Sequence, residues 1–177
     1  NFYVIILDPT EGCPADSIAD EHIVADFDDE KAIRILADKA DVITYEFEHI
    51  GVEILKELEK EGHKVYPTAT SLEIIQNKYT QKTELEQNDI PVPEFIEIVD
   101  LNDIERAGKK LGYPLMLKSC TGGYDGKGNA VVKDESQIND AYQELGAGNT
   151  PLMVEEFIPF QKEISVLACR DIRGDIS

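Results

Sequence analysis

The residues best suited to chemistry lie in one stretch, Thr121-Gly122-Gly123-Tyr124-Asp125-Gly126-Lys127-Gly128-Asn129, with Lys118 three residues upstream. Glycines at 122, 123, 126 and 128 let the backbone turn through positive φ and approach a ligand closely. Successive N–H groups in such a loop form a nest for an anion. Lys118 and Lys127 add local positive charge to a chain whose net charge is −19. Together they suit a triphosphate. The loop is not a Walker A motif, because Gly128 rather than Ser or Thr follows Lys127, and it is not a G-x-G-x-x-G fingerprint. The plain alternative is a glycine-rich hairpin with solvated lysines. Downstream, Val154-Glu155-Glu156-Phe157-Ile158-Pro159 joins an apolar strand to a proline turn, and Glu163 falls on the strand expected next. A strand leaving a nucleotide pocket offers backbone groups to a base, and a carboxylate beyond it accepts from ribose hydroxyls. An exposed acidic turn would read the same way. Lys78 opens a predicted helix, where a cation opposes the macrodipole by under about 1 kcal/mol unless an anion is near.

The elements that must position these groups follow from apolar period. Tyr3–Leu7 is a continuous apolar run, as in a doubly covered parallel strand. His22–Ala25, Val42–Tyr45 and Val65-Tyr66 read as further strands. A helix capped by Asp28 lies between the first two of these, and a helix over 50–61 stops at Gly62. This alternation predicts a parallel α/β sheet. Beyond Ser71 the pattern changes. Helices are predicted over 72–76, 79–87, 102–111 and 135–145, and strands over 95–99, 115–118, 130–133, 152–155 and 163–170. The second half therefore reads as α+β, with a boundary near residue 76. The chain opens on what reads as the second strand of its sheet and stops just after a strand, so it reads as partial.

Composition excludes several classes. Apolar residues make up 42% of 177, ordinary for a folded chain, and no apolar run approaches the roughly 20 residues of a membrane helix. The acidic balance disfavours nucleic acid and anionic membranes as partners. Cys13, Cys120 and Cys169 form no C-x-x-C pair, which suits reduced, partly buried thiols in a cytoplasmic protein. His22, His49 and His63 show no metal spacing.

The order of these segments resembles the ATP-grasp superfamily: Asn77-Lys78-x-x-x-Lys82, the Gly112-Tyr113-Pro114 turn, a strand ending at Lys118, the glycine loop and Val154-Glu155-Glu156-Phe157. Thr44-Tyr45-Glu46-Phe47-Glu48-His49 and Gly122-Gly123-Tyr124-Asp125-Gly126-Lys127-Gly128 are similar to the 5-(carboxyamino)imidazole ribonucleotide synthases within it. The resemblance implies a Rossmann-like pre-ATP-grasp domain over residues 1–76, lacking its first strand and glycine loop, and an incomplete α+β ATP-grasp domain over 77–177. It implies ATP-dependent carboxylation of aminoimidazole ribonucleotide by bicarbonate through carboxyphosphate, in purine biosynthesis. Lys78 and Lys118 would hold ATP phosphates, under a lid running from Gly123 to Asn129. Glu155, Glu156, Phe157 and Ile158 would form the adenine hinge, and Glu163 would bind ribose. Tyr124, Asp125 and Lys127 would face the reacting groups, and Glu46 is a further substrate candidate. Magnesium ligands and the grip on the substrate phosphate are expected outside this chain, which alone would then be inactive. A homodimer is also implied. Other ATP-grasp enzymes, such as a formate-dependent glycinamide ribonucleotide transformylase, and a non-catalytic nucleotide-binding module remain alternatives.

Overall fold

The computed structural model describes residues 2–122 and 128–177. In the first half, β1 (Ile5–Leu7) pairs in parallel with β2 (Glu21–Ile23), Ile5 opposite Glu21 and Leu7 opposite Ile23. Helix α1 (Glu30–Lys39) is capped by Asp29, not by Asp28 as expected: Oδ1 of Asp29 accepts from Lys31 N and Ala32 N, both at 3.0 Å. Asp29 has the extended backbone of an N-cap and immediately precedes the first helical residue. Helix α2 (Val52–Glu61) ends at Gly62, whose φ of +99° fits the left-handed stop read from sequence. The strands expected over 42–45 and 65–66 reduce to one parallel bridge, Ile43 to Val65. Pro67 has no N–H to extend that ladder. Helices α1, α2 and α3 (Ala69–Gln76) close over a core containing Ile33, Leu55, Leu58, Val65 and Leu72. Asn77 ends α3 and, with Oδ1 2.9 Å from Tyr79 N, caps α4 (Lys78–Gln87).

His22 clips the loop between β1 and β2. Its Nδ1 lies 2.9 Å from Asp16 Oδ1 and its Nε2 3.1 Å from the Asp8 carbonyl. Both partners are acceptors, so only the imidazolium can donate to both. The Asp8 carbonyl raises the pKa above the ordinary 6.5, aided by Asp16 and opposed by burial. Because the folded value lies above the unfolded one, the clip's contribution is fully present below about pH 6.5. It fades as pH climbs through the raised value. An NMR titration of the His22 ring should therefore show a midpoint above 6.5, and a midpoint at or below it would mean that the clip is not formed in solution.

The second half is a four-stranded antiparallel sheet in the order β3 (Phe95–Ile98), β6 (Leu152–Glu156), β4 (Leu115–Ser119), β5 (Asn129–Val132). Helix α5 (Leu101–Leu111) begins with a capping box between Asp100 and Asp103. The single helix expected over 135–145 is instead a 3-10 turn, residues 135–137, followed by α6 (Ile138–Glu144). Asp134 Oδ1 accepts from Ser136 N, and Gln137 Oε1 accepts from Lys133 N, so side chains hold the entry in a tighter turn. One face of the sheet packs on α5 and α6 through Ile104, Leu115, Leu117, Val132, Ile138, Leu152 and Val154. The strand expected over 163–170 is not formed: that segment pairs only through a bridge from Arg170 to Ile176. Its apolar residues Ile164, Val166 and Leu167 stay exposed, because no sheet edge among the described residues receives them. Cys13 and Cys120 are buried free thiols, whereas Cys169 is exposed. Among the described residues no helix is long and apolar enough to cross a membrane.

Candidate nucleotide site

Strand alternation builds the site. Leu115 and Leu117 of β4 are buried in the core cluster with the helices, so Met116 and Lys118 point to the opposite face. Lys118 lies across from Asn129 on β5 and Met153 on β6. Met116 lies across from Val131 and Glu155, and Glu155 across from Phe95 on β3. Helix α4 covers part of this second face. The Tyr79 ring meets Phe95 edge-on with centroids 5.4 Å apart, and Lys82, one turn beyond Lys78, reaches Glu155.

Glu155 is a carboxylate only 7% exposed, held between two lysines. Lys118 bonds Oε1, and Lys82 lies 2.9 Å from Oε2, an ion pair outside hydrogen-bond geometry. Burial pushes the Glu155 carboxyl up, but the two lysines together outweigh it and hold the group below its ordinary range. Lys78 clasps the end of β4: its backbone N donates to the Cys120 carbonyl at 2.7 Å. Its Nζ donates to the carbonyls of Ser119 at 3.3 Å and Gly122 at 2.8 Å. These carbonyls meet the charge at the helix start. Burial, followed by repulsion from Lys118, lowers the Lys78 pKa. Two mutually repelling ammonium groups at the entrance to a glycine loop fit a polyphosphate, which would relieve the repulsion. Beside them, the Asn129 side-chain oxygen is buried without a hydrogen-bond partner among the described residues.

Lys78, Lys118, Asn129 and Glu155 are thus brought together. Gly128 stands at the loop's far end with φ +75°, its carbonyl accepting from Ser119 N at 2.8 Å. Gly123, Tyr124, Asp125, Gly126 and Lys127 lie outside the described residues. Glu156 closes β6, its N donating to the Glu94 carbonyl at 2.9 Å, and is followed by half-buried Phe157 and exposed Ile158. Glu163 is exposed and belongs to no strand. Glu46 lines an apolar cavity of about 680 Å³ beside Phe27 and Phe47, while Glu48 lines the cleft that reaches Lys78. That cleft, about 350 Å³, runs between the two halves past His49, Gln76 and Gly122. Gln76 Nε2 pins its wall by donating to the carbonyls of Glu48 at 2.7 Å and Ile50 at 2.8 Å. Lys82, Met116 and Met153 are site-face residues that sequence reasoning missed. The signals were available: Lys82 is one helical turn from Lys78, and the methionines are two residues from Lys118 and Glu155.

The sequence model described as the ribonucleotide synthetase preATP-grasp domain matches residues 1–76, and that of the ATP-grasp domain matches residues 83–177. The chain belongs to the ATP-grasp family. It is 39% identical, over 98% of its length, to the chloroplastic phosphoribosylaminoimidazole carboxylase of Vigna aconitifolia, covering 31% of that protein. The crystal structure of N5-carboxyaminoimidazole ribonucleotide synthetase from Thermotoga maritima matches all of this chain at 40% identity with a TM-score of 0.88. This chain covers 45% of that one. The Aspergillus clavatus N5-carboxyaminoimidazole synthase, solved with ADP and 5-aminoimidazole ribonucleotide, matches 88% of this chain at 34% identity and TM-score 0.78, with 40% of its own length covered. This ATP-grasp chain therefore spans from 31% to 45% of the length of these relatives.

Proposed function

We propose that the protein carrying this chain carboxylates aminoimidazole ribonucleotide with bicarbonate and ATP, in purine biosynthesis. The observation that carries the reading is the convergence of Lys78, Lys118 and Glu155 at the mouth of the glycine loop, in a chain matched by both preATP-grasp and ATP-grasp sequence models. Lys78 and Lys118 bind the phosphates, and the segment from Gly123 to Asn129 covers them. Residues 155–158 hold the base, with Glu163 offered to the ribose. A bicarbonate oxygen attacks the γ-phosphorus and ADP leaves, giving carboxyphosphate. The exocyclic amine of the imidazole then takes the carboxyl group, releasing phosphate and a proton. Asp125 accepts from that amine and Lys127 pairs with the anionic oxygens, with Tyr124 beside them. Lys78 offers its phosphate contact as a point charge rather than a bidentate fork.

Magnesium would accompany ATP and neutralise its phosphates. Among the described residues no three His, Cys, Asp or Glu side chains gather around a common point. A homodimer rests on the family likeness, and a cytoplasmic location on the three free thiols, which suit a reducing compartment. The deciding experiment is phosphate release by the full-length protein with Mg-ATP and bicarbonate, with and without aminoimidazole ribonucleotide. Strong stimulation by that amine is expected. Intact ATP binding without stimulation would remove the substrate assignment and make glycinamide ribonucleotide the next amine to try.

A further inference from the structure

Three charges meet at Glu155, and only two of them are needed to neutralise each other. The carboxylate is buried, and leaving it unpaired would be strongly unfavourable. It is approached from both sides: by Lys118 from β4 on Oε1, and by Lys82 from α4 on Oε2. Lys118 stands next to Lys78, which already reaches into the glycine loop through the Gly122 carbonyl. Lys82 sits a helical turn farther on and is the less exposed of the pair, at 17% against 23%.

We propose that Lys82 is a positioning residue that keeps Glu155 paired, so that Lys118 can turn from Glu155 to a bound phosphate. This rests on the nucleotide reading above. With the Glu155–Lys82 pair neutral, the charge on Lys118 is free for the ligand. Without Lys82, any phosphate must compete with a buried carboxylate for the same ammonium. Lys82 thus acts through Glu155 and touches no reacting atom.

The test is ADP affinity of the full-length protein by calorimetry. Lys82→Met should weaken ADP binding by about tenfold or more, the worth of one charge-assisted hydrogen bond. Lys82→Arg should restore most of it. The decisive variant is Lys82→Met combined with Glu155→Gln: once the competing carboxylate is gone, its ADP affinity should match that of Glu155→Gln alone. A merely structural lysine would give additive losses instead. A Lys82→Met protein that folds, by its thermal melt, and binds ADP like wild type would overturn the inference. Additive losses in the double variant would do the same. Failure of the wild-type protein to bind ADP would instead remove the nucleotide reading itself.

Discussion

Lys118→Met lowers substrate-stimulated phosphate release by on the order of 10²-fold or more, the loss seen when one preorganised donor to a developing charge is removed. The fold survives the change. Lys118 leaves behind a Glu155 that still has Lys82 at 2.9 Å, so the substitution does not strand a buried carboxylate. Methionine keeps most of the aliphatic stem of the lysine. Lys78 also remains, held by its own carbonyl contacts. The result to look for is therefore a split: release collapses while the cooperative thermal transition is kept. Undiminished release would take Lys118 out of the site. Loss of the transition would mean that Lys118 serves the fold through Glu155 rather than a ligand.

Leu117→Ala should cost about 3 kcal/mol of stability, within the range for truncating a fully buried leucine. Leu117 is 0% exposed, on one of the two inner strands of the four-stranded sheet, opposite Ala130 on β5 and Val154 on β6. It shares one buried core cluster with Ile104 of α5 and Ile138 of α6. These flanking elements are tied down by strand pairing and helix packing, so the cavity cannot collapse cheaply. The site lies on the other face, where the neighbours Met116 and Lys118 point, so ADP affinity of the folded protein should change little. Urea unfolding and calorimetry on the same sample separate the two effects. A loss below about 1 kcal/mol would mean that this face is not packed against the helices as described.

Most of the secondary structure was readable from residue order, because helix and strand periods are local. The run from Leu115 to Lys118, the stop at Gly62 and the helix starting at Lys78 all stand within a residue of their expected places. The presence of Lys118 at a strand end beside a glycine loop is likewise a property of the chain alone, as is the likeness to the ATP-grasp family. What needed the tertiary structure was every pairing between distant segments. The register of β4 against β6 sets Glu155 beside Lys118, making its side chain an ion-pair partner as well as part of the expected hinge. The docking of α4 on that face brings in Lys82, and the approach of the two halves puts Glu48 rather than Glu46 on the Lys78 cleft. The apolar runs at 42–45 and 163–170 show the same limit from the other side. Alternation marks a segment able to be a strand, but a ladder forms only where another backbone lies alongside to share its N–H and C=O groups, and that is decided by how the rest of the chain folds.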